Sequence, residues 1–363
     1  MRTSILALVL TLLSIAAPDV APAADRPTVV RIGVAAVGTG GRPVSGWSYS
    51  SVVAANGSLE NELKPDGIEV RWIYFSGAGP AVNEALANGQ LDFAFEGDLP
   101  SLVARAGGLR TKVILAHTRF EPTYVAVPAD SPARTLEDLK GKRVAVFKGT
   151  NLQLALYRVL ESKSLKDSEF KLINMSTNDG NAALLSKDID AQVSGSDVFP
   201  LVERGVARIV YSTQGDPRLG RVSHLLVTEE FAARYPAVVQ RVVNSVLRDA
   251  AWLADEANRA RAYQIWTKSG FGLPAWKGDW DSFVLRDRAS PLLDEFFRVQ
   301  YRRLLDAARG LRLVRKDFDV DQWLDATYLN RGLAELNLAR VWRELDSDGK
   351  PKAPPTGASA AAR

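Results

Sequence analysis

Three glycine-rich loops, residues 38–46, 76–80 and 148–151, carry the residue types that hold polar ligands. Each follows a strand-like segment and precedes a segment with helical periodicity, which predicts a strand end, a turn and a helix start. The first N–H groups of a helix lack intrahelical partners and carry partial positive charge. A plain turn explains any one loop taken alone. Three of them facing one cleft would bind an anion or another hydrogen-bond acceptor.

Sequence patterns typical of catalytic and cofactor sites are missing. The chain has no cysteine, and its two histidines, His117 and His224, lack the spacing of a zinc site. The segment GTGGRP departs from G-x-G-x-x-G, and neither a P-loop nor a G-x-S-x-G elbow occurs. We therefore expect no catalytic residue, metal or cofactor. We interpret His117 as structural and keep His224, which follows Ser223 on a predicted strand, as a candidate for the cleft.

The two ends of the chain differ in composition from its middle. Arg2, an apolar run at 5–17 and the small residues Ala21-Pro22-Ala23 predict a signal peptide over 1–23, with a membrane anchor as the alternative. From Asp346 to the end the sequence is rich in Pro, Ala and Gly, which predicts a disordered tail over 346–363. We expect a periplasmic protein.

Between these ends, strand-like and helix-like segments alternate, as in an α/β fold with open, largely parallel sheets. About 340 residues are more than one core usually fills, so two lobes are expected. The formal charge is only +4, from 46 Lys+Arg and 42 Asp+Glu, and no basic tract is interleaved with aromatic residues. Nucleic acid is therefore not an expected partner.

Two longer motifs resemble a known family. The stretch FSGAGPAVNEALANGQLDFAFEGDLPSLVARAGG (75–108) is similar to the aromatic-x-x-A-G-P, E-A-L-x-x-G-x-L-D-F and G-D-x-P pattern of the sulfonate/nitrate/taurine family of periplasmic substrate-binding proteins. VPADSPARTLEDLKGKRVAVFKGTN (127–151) resembles its second signature, and EEFAARYPAVVQRVV (229–243) a later helix start. The likeness extends, with gaps, over about residues 28–325.

The resemblance implies a two-lobe type II periplasmic-binding-protein fold, each lobe an open mixed sheet flanked by helices, joined by two crossing strands. Lobe 1 would comprise 24–122 and 222–345, and lobe 2 would comprise 123–221. The implied function is the solute-binding subunit of an ABC importer. It would bind a small polar organosulfur or nitrogen compound, close its lobes and deliver the ligand to a membrane permease. We expect a monomer.

Carried over by position, the resemblance implies ligand contacts in four segments. They are Gly40 and Ser45; Ser76, Gly77 and Ala78; Gly97 and Asp98; and Gly149, Thr150 and Asn151. Thr123 and His224, on or near the predicted crossing strands, are further candidates at the hinge.

The sequence departs from the family at two places. Where the family often reads D-A-W-A-I-W-D-P, this chain has DAQVSGSDVF (190–199), with Gln192 and Gly195 in place of both tryptophans. We therefore expect an aromatic wall to be lost and Ser196 and Asp197 to be gained. Glu96 stands where sulfonate binders often have a hydroxyl residue.

A carboxylate about 4 Å from a sulfonate would cost about 4 kcal/mol at an effective dielectric near 20. One possibility is that Glu96 points away from the ligand and forms a salt bridge with a Lys or Arg. The other is that the ligand carries an amine or is an uncharged heterocycle. Asp98, by contrast, is expected to be the N-cap of the next helix. Two other functions stay open on the same fold: an enzyme acting on a vitamin-precursor-like heterocycle, and a sensor for a membrane receptor.

Overall fold

The computed structural model describes residues 26–352, so the predicted signal peptide (1–23) lies outside the described residues. Two five-stranded mixed sheets, each flanked by helices, form the molecule. This confirms the predicted α/β fold. The prediction of largely parallel sheets is incomplete, because in each sheet the strands next to the inter-sheet connections run antiparallel to their neighbours.

The first sheet has the strand order β2-β1-β3-β10-β4. β1 pairs in parallel with β2 and β3, and β10 runs antiparallel between β3 and β4. Its strands are β1 (Val29–Val34), β2 (Glu69–Tyr74), β3 (Phe93–Gly97), β4 (Thr111–Glu121) and β10 (Arg221–Thr228).

The second sheet has the order β7-β6-β8-β5-β9. β6 pairs in parallel with β7 and β8, and β5 runs antiparallel to β8 and β9. Its strands are β5 (Tyr124–Pro128), β6 (Arg143–Val146), β7 (Lys171–Asn174), β8 (Ala191–Ser194) and β9 (Ala207–Ser212).

Helices follow most strands and make up most of the chain after β10. Gly57, with φ +61°, ends the first helix and separates it from the second. The α-helices are α1 (Ser48–Asn56), α2 (Ser58–Leu63), α3 (Ala78–Ala87), α4 (Asp98–Ala106), α5 (Asn151–Ser162), α6 (Thr177–Leu185), α7 (Phe199–Glu203), α8 (Glu229–Arg234), α9 (Pro236–Ala254), α10 (Arg259–Trp266), α11 (Leu273–Trp280), α12 (Leu285–Arg288), α13 (Glu295–Gly310), α14 (Val320–Trp323) and α15 (Thr327–Glu335).

The chain passes between the sheets twice, from β4 to β5 and from β9 to β10. The two connections are held together where Thr213 donates its backbone N–H to the carbonyl of Thr123 at 3.0 Å. The lobe boundaries at 122/123 and 221/222 stay a prediction.

The largest apolar core lies against the first sheet, where β10, β3 and the long helix α9 pack together with the later helices. The second sheet has two smaller cores of its own. Across residues 26–352, no helix is both long enough and apolar enough to cross a bilayer.

The first part of the predicted disordered tail, residues 346–352, is ordered. Asp346 accepts the backbone N–H groups of Asp348 and Lys350, both at 2.9 Å, and Leu345 forms a β-bridge with Pro351. Lys352 also makes an ion pair with Glu295 at 2.9 Å. The segment 346–352 is therefore a defined turn, because one carboxylate satisfies its exposed donors. The rest of the predicted tail lies outside the described residues.

Candidate ligand-binding site

A cavity of about 200 Å³ lies between the two sheets. The segments that immediately follow β1, β2, β6, β7 and β8 line it, together with Gly97 at the end of β3. These are the carboxyl ends of parallel strands, where open α/β sheets bind their ligands. The cavity is thus the candidate binding site.

Close glycine contacts bring three helix starts together at this cavity. A Cβ placed on Gly79 would lie 2.2 Å from Pro100 Cγ, so the starts of α3 and α4 touch. A Cβ on Gly97 would lie 2.7 Å from the side-chain nitrogen of Asn151, the first residue of α5. Larger residues at these glycines would separate the helix starts.

The starts of α3 and α4 carry no side-chain cap. Gly77 and Gly97 occupy the two N-cap positions, and neither offers a side-chain acceptor to the first N–H groups. Uncapped helix starts are sites for negatively charged or hydrogen-bond-accepting groups. Two of the first donors already have partners, because the N–H of Ala78 bonds the carbonyl of Phe75 at 3.1 Å and the N–H of Leu99 bonds the carboxylate of Asp98 at 2.6 Å. A ligand acceptor in the cavity would satisfy the donors that remain.

The second sheet supplies hydroxyl and amide groups. Thr150 caps α5 by accepting the N–H of Leu152 at 3.3 Å and donates its hydroxyl to the carbonyl of Phe147 at 2.7 Å. Ser176 caps α6 in the same way, at 3.2 Å from the N–H of Asp179. The cavity-lining polar residues from this sheet are Thr150, Asn151, Ser176, Thr177, Asn178, Ser196 and Asp197.

Two buried ion pairs, here called the ion-pair floor, complete the charged lining. Arg221 lies 3.2 Å from Glu121, and Arg288 lies 2.6 Å from Asp279. Tyr124 donates its hydroxyl to Asp279 at 2.8 Å, which ties β5 of the second sheet to α11. Because both pairs are internally neutral, the remaining carboxylate, Asp197, determines the formal charge of the cavity lining.

Asp197 is half-buried at the start of a short 3₁₀ turn. Burial raises the pKa of Asp197 from its usual value, and Arg221 opposes that rise. A Cβ on neighbouring Gly195 would lie 3.0 Å from Nη2 of Arg221. The glycine that replaces a family tryptophan therefore makes room for the arginine.

The expected loss of an aromatic wall is wrong. Phe271, Trp276 and Trp280, from α11 and the turn before it, line the cavity together with Trp47 and Phe75. The sequence analysis missed them because they lie far along the chain in a helical region. Their signal is the four-residue spacing of Trp276 and Trp280, which places both on one face of a helix.

The structure divides the predicted site residues into two groups. Eight line the cavity: Ser45, Ser76, Ala78, Gly97, Thr150, Asn151, Ser196 and Asp197. Seven do not: Gly40, Gly77, Glu96, Asp98, Thr123, Gly149 and His224. Ligand contact by the first group stays a prediction.

Glu96 is fully buried behind the cavity. It points toward α3 and α4, with Oε1 3.0 Å from the position of a Cβ on Gly79. Neither carboxylate oxygen has a hydrogen-bond partner within residues 26–352, so the salt bridge considered from the sequence is wrong. Burial raises the pKa of Glu96 well above its usual range; nearby Ser101 and Asn83 oppose that rise without hydrogen-bond geometry to the carboxylate.

His224 is the β10 partner of Glu96 in the sheet register and is also fully buried. Its Nδ1 bonds the hydroxyl of Tyr301, and its ring packs edge-on against Trp323. Burial lowers the pKa of His224 to about 3. A role for His224 at the cavity surface is therefore wrong, because the helices after β10 cover it.

Asp98 and Thr123 have structural partners. Asp98 is the first residue of α4, so its expected role as N-cap is wrong. Its carboxylate accepts the N–H groups of Leu99 and Val222, at 2.6 and 3.2 Å. Burial raises the pKa of Asp98 to about 6. Thr123 accepts a hydrogen bond from Nε of Arg221 at 3.2 Å and so supports the floor from behind.

The three predicted glycines outside the lining have backbone roles. Gly40 has φ +68° and lies in an exposed loop. Gly77 is the N-cap of α3. A Cβ on Gly149 would lie 3.1 Å from Pro80, so Gly149 touches the start of α3 across the sheets. Among residues 26–352, no cluster of three or more His, Cys, Asp or Glu side chains is arranged to hold a metal ion.

Comparison with known proteins gives concordant matches. The model of the NMT1/THI5-like family matches residues 63–260. A protein of Bacillus subtilis (strain 168), named an aliphatic sulfonates-binding protein, is 25% identical over 294 residues, 78% of this chain and 84% of that protein. A protein of Escherichia coli (strain K12) with the same name is 31% identical over 149 residues, 40% of this chain and 45% of that protein.

A solved structure is also similar. The periplasmic sulfonate-binding protein SsuA of a sulfonate ABC transporter from Methylobacillus flagellatus KT superposes with a TM-score of 0.75. It is 30% identical, and the alignment covers 88% of this chain and 97% of that one. These matches confirm the family resemblance and the two-sheet periplasmic-binding fold.

Proposed function

The chain belongs to the NMT1/THI5-like family, and we propose that it is the extracytoplasmic solute-binding subunit of an ABC importer. Its ligand would be a small organic sulfonate, taurine-like or aliphatic, delivered to a permease in the membrane. The similar proteins named above bind sulfonates or belong to a sulfonate transporter by their names, which supports this class.

One observation carries the proposal: the uncapped starts of α3 and α4 meet the start of α5 at the cavity. A sulfonate has three oxygens that accept hydrogen bonds and one negative charge, which matches converging N–H donors. Each helix start contributes about 0.3–1 kcal/mol, or up to about 2 when partly buried. Micromolar affinity needs about 8 kcal/mol, so the hydroxyl, amide and aromatic lining must supply the rest.

The side chains that line the cavity carry one formal negative charge, that of Asp197, so an anion would be held by helix N–H groups and not by an unpaired cation. Each cation of the floor is already paired with a carboxylate, and the raised pKa of Asp197 favours its neutral form relative to an exposed Asp. Glu96 lies outside the cavity, so the repulsion that it would exert on a sulfonate at contact distance does not arise. A ligand amine, as in an amino-sulfonate, would suit Asp197.

Contacts across the cavity support binding by closure of two lobes. Asn151 approaches Gly97, and Pro80 approaches Gly149. Farther from these contacts, Phe199 of α7 approaches Gly278 of α11. Each contact joins a segment of one sheet unit to a segment of the other, so opening the cleft would break them. A ligand held by both sides would favour the closed arrangement.

An enzyme on this fold has less support. None of the described residues that line the cavity is His, Lys or Cys, and two of the three lining carboxylates belong to the ion-pair floor. A hydroxyl nucleophile there would need a neighbouring base. Among the described lining residues, Asp197 is the carboxylate left for that role.

The proposal is tested by measuring sulfonate binding and by recovering the bound ligand unchanged. Titration calorimetry with ethanesulfonate, taurine and nitrate should show one-to-one binding of at least one sulfonate, tighter than nitrate. Mass spectrometry after denaturation should return that ligand intact. A chemically altered ligand would indicate an enzyme, and no heat with any sulfonate, in protein stripped by unfolding and refolding, would overturn the proposal.

A further inference from the structure

We propose that the natural ligand carries an aromatic ring, so that this chain captures an aryl sulfonate in preference to an alkyl one. This inference rests on the proposed function and specifies its substrate class. It starts from the lining, because six aromatic side chains surround the cavity: Trp47, Phe75, Phe147, Phe271, Trp276 and Trp280. The ring surface open to a ligand comes mainly from Trp47, Phe75 and Phe147, which are half-buried, whereas Trp276 and Trp280 are 3% and 1% exposed. A two-carbon amino-sulfonate would leave part of that open ring surface in contact with water.

The tryptophans are fixed by contacts away from the cavity. Trp47 donates its indole N–H to Glu121 at 3.1 Å and meets the ring of His117 edge-on at 4.7 Å. The rings of Trp276 and Trp280 both pack on Trp266, at 5.6 and 4.7 Å between centroids. A ligand ring would therefore meet surfaces that are already ordered, which lowers the entropic cost of binding.

Trp280 also has a cation on its ring. The guanidinium of Arg288 lies 3.9 Å from the ring centroid and is itself held by Asp279. All three residues line the cavity. The guanidinium, the carboxylate and the ring of Trp266 thus hold Trp280, which is 1% exposed, in one rigid arrangement at the cavity wall.

Trp276 supplies a second, independent indication. It is 3% exposed, and its indole N–H has no acceptor within the described part of the chain. Buried indole N–H groups normally have a partner. The N–H has no surface open to the cavity, so a small shift of Trp276 would accompany a hydrogen bond from it to a ligand oxygen at the ring edge.

The volume fits one ring with its head group. An apolar cavity of about 150 Å³ accommodates benzene, and this cavity measures about 200 Å³. The starts of α3, α4 and α5 would hold the sulfonate. The aromatic side would hold the ring.

The deciding experiment compares benzenesulfonate with cyclohexanesulfonate by titration calorimetry on the purified protein. Both have six ring carbons and the same head group, so only aromaticity and ring shape differ. We expect benzenesulfonate to bind at least about tenfold more tightly, which corresponds to about 1.4 kcal/mol. Neutral benzenesulfonamide should bind more weakly than either sulfonate.

Trp276→Leu should lower the affinity for benzenesulfonate about tenfold and change that for cyclohexanesulfonate less than threefold. Retained binding of cyclohexanesulfonate shows that the variant is folded. If the variant does not fold, the comparison of the two sulfonates on the unmodified protein tests the aromatic preference. Trp252→Leu is the matched control, because Trp252 lies on α9 outside the cavity lining.

Three other outcomes are distinguishable. Equal or tighter binding of cyclohexanesulfonate would overturn the aromatic preference and leave sulfonate capture standing. Benzenesulfonamide binding as tightly as benzenesulfonate would overturn the anionic head group, and with it the proposed function. The absence of binding by either sulfonate would overturn both.

Discussion

The two sides of the cavity differ in chemistry and in origin. The second sheet contributes mostly hydroxyl and amide groups at helix starts, among them Thr150, Asn151 and Ser176; we call this the polar side. The first sheet and the helices after β10 contribute most of the rings, among them Trp47 and Trp276; we call this the aromatic side. The division has exceptions: the starts of α3 and α4, with Ser45 and Ser76, belong to the first sheet, and Phe147 belongs to the second.

This difference indicates that the two sides recognise different parts of the ligand. Short polar side chains at helix starts hold a head group by direction and charge, and they suit any ligand that presents that group. Rigid rings recognise shape and apolar area, so they discriminate between ligands with the same head group. Changes on the polar side should affect all sulfonates alike, and changes on the aromatic side should affect them selectively.

The largest expected effect is a loss of folding stability at the ion-pair floor, where the two sides meet. Arg221→Met leaves Glu121 buried without its cation, which typically destabilises a protein by about 3–5 kcal/mol. Urea denaturation should show this loss. The control Arg143→Met removes an exposed ion pair with Asp190 and should cost at most about 1 kcal/mol.

The double variant Arg221→Met/Glu121→Leu sharpens this test, because it removes both charges. It should recover much of the lost stability. If the single variant unfolds at the same urea concentration as the unmodified protein, the pair contributes nothing to the fold.

On the polar side, Asn151→Asp places a carboxylate against the head group without changing the size of the side chain. Repulsion of about 4 kcal/mol at about 4 Å should lower the affinity for every sulfonate at least about 100-fold. Calorimetry with an alkyl and an aryl sulfonate checks that both fall together. Unequal losses would contradict the division between the two sides.

Two substitutions with smaller expected losses of affinity give a scale for the Asn151→Asp result. Asn151→Ala removes one neutral hydrogen-bonding group, and the expected loss is about tenfold at most. Thr150→Ser keeps the hydroxyl that caps α5 and should leave the affinity nearly unchanged.

Glu96 belongs to neither side of the cavity, so its substitution should change stability and not ligand affinity. Its folded pKa is raised, so the folded state binds a proton more readily than the unfolded state, and stability falls as pH rises above the unfolded pKa. Each unit of upward shift costs about 1.4 kcal/mol once pH exceeds the folded value. Glu96→Gln should therefore raise the free energy of unfolding by at least about 1 kcal/mol at pH 8.

The advantage of Glu96→Gln should shrink toward pH 4.5, while sulfonate affinity stays unchanged. Thermal melts at several pH values, with calorimetry at one, measure both. A large loss of affinity would mean that Glu96 reaches the ligand.

The smallest expected effect is a change in sulfonate affinity on substitution of Asp197. Its raised pKa means that protonation at lower pH removes a negative charge next to the ligand, so the affinity for ethanesulfonate should increase as pH falls. Asp197→Asn should bind ethanesulfonate about threefold more tightly at pH 8 and lose most of the pH dependence. Taurine should respond in the opposite direction if its amine meets Asp197, and a parallel gain for taurine would exclude that contact.

Much of the fold follows from local patterns. The strand-like segments that precede the three glycine-rich loops are the strands β1, β2 and β6, because β-branched runs and Gly-rich turns are local signals. Half of the predicted site residues line the cavity for the same reason: they stand at strand ends before helices, as Ser76, Gly97 and Thr150 do. The failures are Glu96 and His224, whose surroundings come from distant helices.

By itself, the sequence determined the α/β class, the glycine-rich helix starts and the family, since each depends on residues adjacent along the chain. Only the tertiary structure decided which way Glu96 faces and where the aromatic side comes from. Alternation along a strand separates two faces but does not say which face a cavity borders. The packing of α11 against α7 and against Gly46 decided that Trp276 and Trp280 line the site, roughly 120 residues beyond the start of α5.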